Sequence, residues 1–396
     1  MNKLLNAIDK QTINNPNHIA LKDQRRHLSY LELEVLTKAW SETLKQRHIK
    51  KIAIYNDNSI DWVICQLAAY RADATVIPVP PFFSQEQIQH LLDDVEPDLI
   101  FGHHSLTKMF EGAIEAPTPH SIEGVSLQFK NKAAKDNLKG VALVTYTSGS
   151  TGKPKGVLIS HDLIFQVCES LTSELRDLAL NVHATSLPLA VMLENVAGVF
   201  LPLIMGKTVH IESSDFWGFK GSSNLNSESF AKALAITQPS SLIATPEILK
   251  VLLYLKLQNL VPVSLKFIAV GGGKVPEEDL KLANQRGLPV YEGYGLTECG
   301  SVVSLNTRAN TKLGSAGKPL KHLKVDISSK GEVLVYGALM DGYLKAPNKE
   351  NFIHTGDLGR LDEAGFLHIT GRIKNVQINS FGRNFSPEWI EEKING

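Results

Sequence analysis

The sequence predicts an α/β fold in which parallel sheets are covered by helices and followed by a smaller antiparallel or barrel-like unit. Three observations carry this. Short apolar strands alternate with helical segments through most of the chain, the pattern of parallel sheets flanked by helices. Past Thr307 the rhythm changes to closely spaced strands joined by Gly-containing turns. The composition, 43% hydrophobic and 21% charged, is that of an ordinary globular protein. At roughly 100–200 residues per domain, the 396 residues make two or three domains. That is enough chain to bury several cores without disulfides or structural metals.

The elements follow in order. Ser29–His48 reads as a capped helix with Leu31, Leu36, Trp40 and Leu44 near one face. Lys51–Tyr55 is a short apolar strand, and Asn58 is placed to cap a second helix running to Tyr70. Thr75–Val79 is a strand stopped by Pro78 and the Pro80–Pro81 pair. Ser84–Val95 is helical and Asp98–Phe101 is a strand. Later strands are Val141–Thr145, Ala184–Leu187, Thr208–Ile211, Ser241–Ala244, Lys266–Val270 and Pro289–Tyr291, with helices between them. Val196–Gly206 is the most apolar stretch, shorter than the ~18 residues a membrane span needs, and is expected as a buried core helix. Gly218–Asn226, polar and rich in Gly and Ser, is expected as a surface loop. Val325–Ile327 and Glu332–Tyr336 flank a hairpin turn at Ser328–Gly331, and Asp362–Gly365 forms a second turn. No internal repeat is present.

Charge and cysteine content exclude several classes. Lys plus Arg and Asp plus Glu are 41 each, a net charge of zero. A nucleic-acid-coating protein would be basic overall, so no nucleic-acid partner is expected. Cys65, Cys168 and Cys299 are too few and too scattered for a disulfide framework or zinc site, and fit a reducing compartment. The first eighteen residues lack an apolar signal core. A cytoplasmic protein with no membrane span is the expectation.

Four motifs carry chemistry. Thr147-Ser148-Gly149-Ser150-Thr151-Gly152-Lys153-Pro154-Lys155-Gly156 follows an apolar strand. Its glycines let N–H groups turn inward, its hydroxyls add donors and its lysines add charge, so it can wrap a polyphosphate. It is not a Walker A loop, because Pro154 replaces the Ser or Thr after Gly-Lys and opposes a helix start. Gly293-Tyr294-Gly295-Leu296-Thr297-Glu298 offers a ring to stack on a base and a carboxylate suited to Mg²⁺. His354-Thr355-Gly356-Asp357 offers a carboxylate that can accept two ribose hydroxyls. Gly371-Arg372-Ile373-Lys374 adds cations at a junction. Taken singly, the second reads first as a solvated turn and the third as an Asx-type turn, and the fourth also fits a solvated basic turn.

In this order, the four motifs resemble the adenylate-forming superfamily of acyl-CoA synthetases, peptide-synthetase adenylation domains and luciferases. The resemblance runs from the helix before Ile19 to the last residue. It includes Gly271-Gly272-Gly273, the run Gly331–Gly337 with Gly342-Tyr343, and Gly382–Glu388. It implies a large N-terminal domain over residues 1–370, built from two doubly wound mixed or parallel sheets. A β-rich subdomain at about 308–370 belongs to it. Residues 371–396 would be the hinge and the start of a C-terminal subdomain, most of it missing.

The resemblance also implies an activity. A carboxylate attacks the α-phosphate of ATP, and a thiol, coenzyme A or a carrier-protein phosphopantetheine, then displaces AMP. Thr147–Lys153 would hold the β- and γ-phosphates with Lys155. Thr297 would touch the α-phosphate, and Glu298 would be the metal residue for Mg²⁺. Tyr294 and Gly295, with Gly272 and Gly273, would bind adenine, Asp357 and Arg372 the ribose, and Lys374 would be the hinge.

Three departures qualify this. The family's α-phosphate lysine on a C-terminal Gly-Lys loop is not present up to Gly396, so slow adenylation is expected. A chain that only binds nucleotide or acyl-adenylate is the competing reading, and a stand-alone loader of a carrier protein is another. Leu187-Pro188-Leu189-Ala190-Val191 lacks both the histidine of many acyl-CoA synthetases and the aspartate that holds an α-amine in amino-acid-activating relatives. Burying an ammonium without a counter-charge is costly, so an α-amino acid is not expected unless Glu194 holds it. Met192, Leu193, Val196, Val199, Val302 and Val303 are the expected acyl-pocket residues, for a fatty or aryl acid. His161 is expected as a helix-start residue and Cys299 as a packing residue. The segment between Ile100 and Val141 is short for the family.

Overall fold

The computed structural model describes residues 2–110, 113–119, 122–129, 138–148, 154–220, 224–347, 350–373, 377–378 and 384–385. Two nine-stranded sheets and a four-stranded antiparallel sheet form its frame. The first large sheet has a parallel centre, with strands Val290–Tyr294, Phe267–Val270, Ser241–Ala244, Val182–Thr185, Thr208–Ile211 and Ile19–Lys22 side by side. Antiparallel strands Ser304–Leu305, Lys318–Pro319 and His27–Ser29 close its ends. The second is parallel over Val141–Ser148, Thr75–Pro78, Lys51–Tyr55 and Leu99–Gly102. The four-stranded sheet orders Leu323–Ile327, Glu332–Gly337, Phe352–Leu361 and Leu367–Arg372.

Helix starts are set by short polar side chains. Ser29 caps helix Tyr30–Gln46 in a reciprocal box with Glu32, and Ser84 does the same with Gln87 for Gln85–Val95. The second helix, Ile60–Arg71, is capped by Ser59 and not by Asn58. Asn58 is occupied at long range: its amide donates to the Leu187 carbonyl at 2.8 Å and its oxygen accepts from the Leu189 N–H at 2.7 Å. One core of buried side chains spans much of the chain, from Leu4 to Leu367, with Trp40, Trp62, Tyr30 and Phe200 inside it. This packing fixes the sheets relative to each other.

The apolar run around Val196 is not one regular helix. Glu194–Phe200 winds as a π-helix and Leu201–Ile204 continues as an α-helical turn. The expected loop Gly218–Asn226 contains a small hairpin, Phe219–Lys220 against Asn224–Leu225. Within the segment 308–370, Lys318–Pro319 joins the first large sheet and Gly342–Tyr343 joins the second. The late strands therefore tie all three sheets together around the site. Among the described residues, no helix is long and apolar enough to cross a membrane.

Candidate active site

The described ends of the expected phosphate-loop motif lie on paired antiparallel strands. Strand Val141–Ser148 pairs with Pro154–Ser160, down to Thr147 opposite Lys155 and Ser148 opposite Pro154. Pro154 opens the second strand, which suits a residue that fits a strand start and not a helix interior. Residues Gly149, Ser150, Thr151, Gly152 and Lys153, and Lys374, expected as the hinge, lie outside the described residues, as does the side chain of Ser148.

On the second of these strands, Lys155 holds its ammonium 5.8 Å from the centre of the Tyr343 ring. The Tyr343 hydroxyl donates to Glu298 Oε1 at 3.0 Å. Thr297–Cys299 forms a single 3-10 turn, fixed by the Met340 N–H donating to the Glu298 carbonyl at 2.8 Å. Gly295 lets this turn pack, because a Cβ there would lie 1.8 Å from the Ser301 carbonyl oxygen. Thr297, Glu298 and Lys155 thus come together although the sequence separates them. Among the described residues no three His, Cys, Asp or Glu side chains gather as a metal cage. A lone carboxylate such as Glu298 suits Mg²⁺ arriving with ATP, since that ion keeps waters and phosphate oxygens as its other ligands.

The residues expected to bind ribose form a second cluster. Asp357 and Arg372 are register partners on adjacent strands. The Arg372 Nε–H donates to Asp357 Oδ1 at 2.7 Å, and the Tyr294 hydroxyl donates to Oδ2 at 2.7 Å. Burial, reinforced by the Asp357 charge, pushes the Tyr294 hydroxyl well above its ordinary value, so it stays a donor. Asp357 is 4% exposed. A carboxylate has about four acceptor positions, so two remain after Tyr294 and Arg372 are served.

One cavity of about 1450 Å³ joins these clusters. Thr147, Lys155, Gly272, Gly273, Tyr294, Gly295, Thr297, Glu298, Asp357 and Arg372 all line it. Gly271 allows the close approach of the neighbouring strand, since a Cβ there would be 3.1 Å from the Gly293 carbonyl oxygen. Met192, Leu193 and Val302 line the same cavity. Val196, Val199 and Val303 are not among the residues lining it: each is 0% exposed and packed in the core.

Glu194 is not free to hold an amine. It is fully buried; Oε2 accepts from the Leu187 N–H at 3.0 Å, and Oε1 lies 2.9 Å from His183 Nε2. His183 Nδ1 lies 3.0 Å from the Ser241 hydroxyl. Burial raises the Glu194 carboxyl above its usual range, with the His183 hydrogen bond opposing. The π-helix admits this pair only because residue 198 is glycine, where a Cβ would stand 2.2 Å from Glu194 Oε1.

Two cavity residues have no site role assigned from the sequence: Tyr343 is named only within the Gly342-Tyr343 motif, and Glu292 is not named. Tyr343 bridges Lys155 and Glu298, a contact across 45 residues that no local pattern announces. Glu292 lines the cavity just before the Gly293–Glu298 motif, and burial with the Glu277 charge pushes it up to about 7. His161 opens helix His161–Leu175, edge-on to Tyr70 at 4.5 Å, and burial pushes it down to about 4. Cys299 is completely buried, and its burial raises the thiol well above its ordinary value. Both are packing residues.

Comparison with known proteins gives consistent neighbours. The 2-succinylbenzoate–CoA ligase of Enterococcus faecalis is 25% identical over 415 residues, covering 98% of this chain and 82% of its own. Among solved structures, the o-succinylbenzoate CoA synthetase of Bacillus subtilis superposes with a TM-score of 0.80 as a double mutant with its product analogue. In complex with ATP and magnesium its TM-score is 0.74. These are 24% and 23% identical, cover 98% of this chain, and are themselves covered to 82% and 84%. A long-chain-fatty-acid–CoA ligase from Archaeoglobus fulgidus has a TM-score of 0.75 at 22% identity, over 93% of this chain and 84% of its own. The sequence profile of the AMP-binding enzymes matches residues 8–344. The chain therefore belongs to the AMP-binding enzyme family, the adenylate-forming enzymes whose motifs its sequence carries.

Proposed function

We propose that this chain activates an apolar carboxylic acid with ATP and passes the acyl group to coenzyme A. The observation that carries the reading is the single cavity in which the Lys155–Glu298 and Asp357–Arg372 clusters meet the apolar wall of Met192, Leu193 and Val302. Asp357 and Arg372 hold the ribose, and Tyr294, anchored by its hydroxyl, presents its ring to the base. Lys155, the Thr147 hydroxyl and the Thr297 hydroxyl face the phosphates. Glu298 holds Mg²⁺, which neutralises phosphate charge when bound.

A carboxylate is a poor electrophile, and its attack on phosphate brings anions together. Fixed donors and cations aimed at the transferring phosphate lower that cost. An acid oxygen bonds to the α-phosphorus as the bond to pyrophosphate breaks. The thiolate then bonds to the acyl carbon as AMP leaves, keeping the acid's oxygen. The occupied Glu194 and the apolar wall argue against an α-amino acid.

An aryl acid is the first substrate class, supported by the named 2-succinylbenzoate ligases, and coenzyme A is the acceptor that those names give. A fatty acid is the second, favoured by the further apolar side chains Ala197, Leu201 and Met205 that line the same cavity. Pyrophosphate release with Mg·ATP and a panel of 2-succinylbenzoate, benzoate, fatty and amino acids tests this. Release with aryl or fatty acids is expected. Release with amino acids alone contradicts the pocket assignment.

A further inference from the structure

The main cavity runs the full depth of the first large sheet. Gly271, just past the C-terminal end of strand Phe267–Val270, lines it, and so does Phe267 at the strand's first position, together with Leu180 just before Val182–Thr185. A second cavity of about 650 Å³ opens at that same N-terminal edge, lined by Leu178, Lys256, Val263, Lys266, Tyr291 and Arg308 among others. The two meet at a stacked ring pair. Phe267 belongs to the first and Tyr291 to the second, with centroids 5.0 Å apart and planes at 16°.

The surface around this second mouth is unusual. Helix Pro246–Leu257 buries Ile248, Leu249, Leu252, Leu253 and Leu255, yet Tyr254 is 52% exposed and Leu257 62%. The turn after it exposes Leu260 at 47% and Val263 at 89%. Four large apolar side chains within ten residues are therefore left in water. Between Ile248 and Phe267 the chain has three lysines, Lys250, Lys256 and Lys266, and no Asp or Glu. None of these lysines, nor Arg308 beside them, makes an ion pair with a described residue. Among the described residues, Asp177 is the one acidic side chain lining this second mouth. Exposed apolar residues set among cations match an anionic lipid surface, whose headgroups attract the lysines while the apolar tips enter the acyl boundary.

We infer that the patch formed by Tyr254, Leu257, Leu260 and Val263 with Lys256 and Lys266 docks this enzyme on an anionic lipid bilayer. Docking sets the second mouth, behind the Phe267–Tyr291 pair, against the phase that dissolves apolar acids. The choice of lipid as occupant rests in part on the apolar-acid reading, but the docking is read without any acid or ATP present.

The test is flotation of the full chain with phosphatidylcholine vesicles, with and without phosphatidylglycerol. The chain floats with the anionic vesicles and not with the neutral ones, and high salt releases it. Leu257→Glu with Val263→Glu lowers partitioning by roughly tenfold or more, as does Lys256→Ala with Lys266→Ala, while AMP binding is unchanged in both. Failure of the wild type to float with anionic vesicles overturns the proposal, as does undiminished flotation of the glutamate variant. A lipid-free dimer in sedimentation velocity that the glutamate variant splits also overturns it, by making a second copy the occupant. Failure of the acid panel alone leaves the flotation result standing.

Discussion

Replacing Asp357 by Asn tests the ribose assignment with little change of shape. In the native site one carboxylate oxygen serves the Arg372 Nε–H and the other the Tyr294 hydroxyl, both at 2.7 Å. The charge and two open acceptor positions are left for the ribose diol. The amide keeps one oxygen, which must stay with the uncompensated guanidinium, and presents N–H groups toward Tyr294, whose hydroxyl then turns to accept. One ribose hydroxyl loses its partner outright, and the other keeps a neutral acceptor. A hydrogen bond to a charged group contributes about 1.5–3 kcal/mol, so the total loss is about 2–4 kcal/mol. At 1.4 kcal/mol per decade, the Kd for AMP rises roughly 100-fold. Isothermal titration with AMP measures this, and 2′,3′-dideoxy-AMP is the control. The penalty should vanish with the dideoxy nucleotide, because no hydroxyl remains to lose. An affinity of the Asp357→Asn variant for AMP within about threefold of wild type would refute the reasoning, as would an equal penalty for both nucleotides.

Three further predictions follow from the same geometry. Glu292, raised from 4.5 to about 7, holds its proton in the folded chain across that window while the unfolded chain has lost it. Stability therefore falls as pH rises from about 4.5 to 7; Glu292→Gln flattens that slope and is more stable by about 1–3 kcal/mol at pH 8, read by urea unfolding at several pH values. Gly198→Ala places a methyl group 2.2 Å from Glu194 Oε1 and 2.8 Å from His183 Nε2. Breaking such a buried pair costs about 3–5 kcal/mol, and an unchanged urea midpoint would show that the π-helix yields freely. Glu298→Gln raises the Mg²⁺ concentration needed for half-maximal turnover far more than it lowers the melting temperature. Equal Mg²⁺ dependence in the variant removes Glu298 from the metal site.

Much of the frame was legible because its signals are local. Strands Lys51–Tyr55, Thr208–Ile211 and Ser241–Ala244 fall where apolar runs end in turn residues. Ser29 and Ser84 sit at their helix starts for the capping reason their neighbours give. What the residues could not show depends on distance. Ser59 caps where Asn58 was expected, because Asn58 is held by a backbone more than a hundred residues away. The seven-residue π-helix is too short for its period to show in the sequence, and Glu194 turned inward to His183 is a contact between elements. Val196, Val199 and Val303 have the right character for an acyl pocket but face the core, a distinction that hydrophobicity does not encode. Asp357 and Arg372 were found by motif, and only strand register shows that they pair. Tyr343, named only as part of a motif, and Glu292 gained a place in the site only when the cavity assembled them.

The central claim is that an acid oxygen becomes bonded to the α-phosphorus of ATP in this cavity. An acid labelled with oxygen-18 in its carboxylate, incubated with the chain, Mg·ATP and coenzyme A, tests this by mass spectrometry of the nucleotide products. The account predicts AMP carrying one heavy oxygen from the acid and unlabelled pyrophosphate. Turnover that gives ADP with labelled inorganic phosphate, or AMP without label, would contradict it.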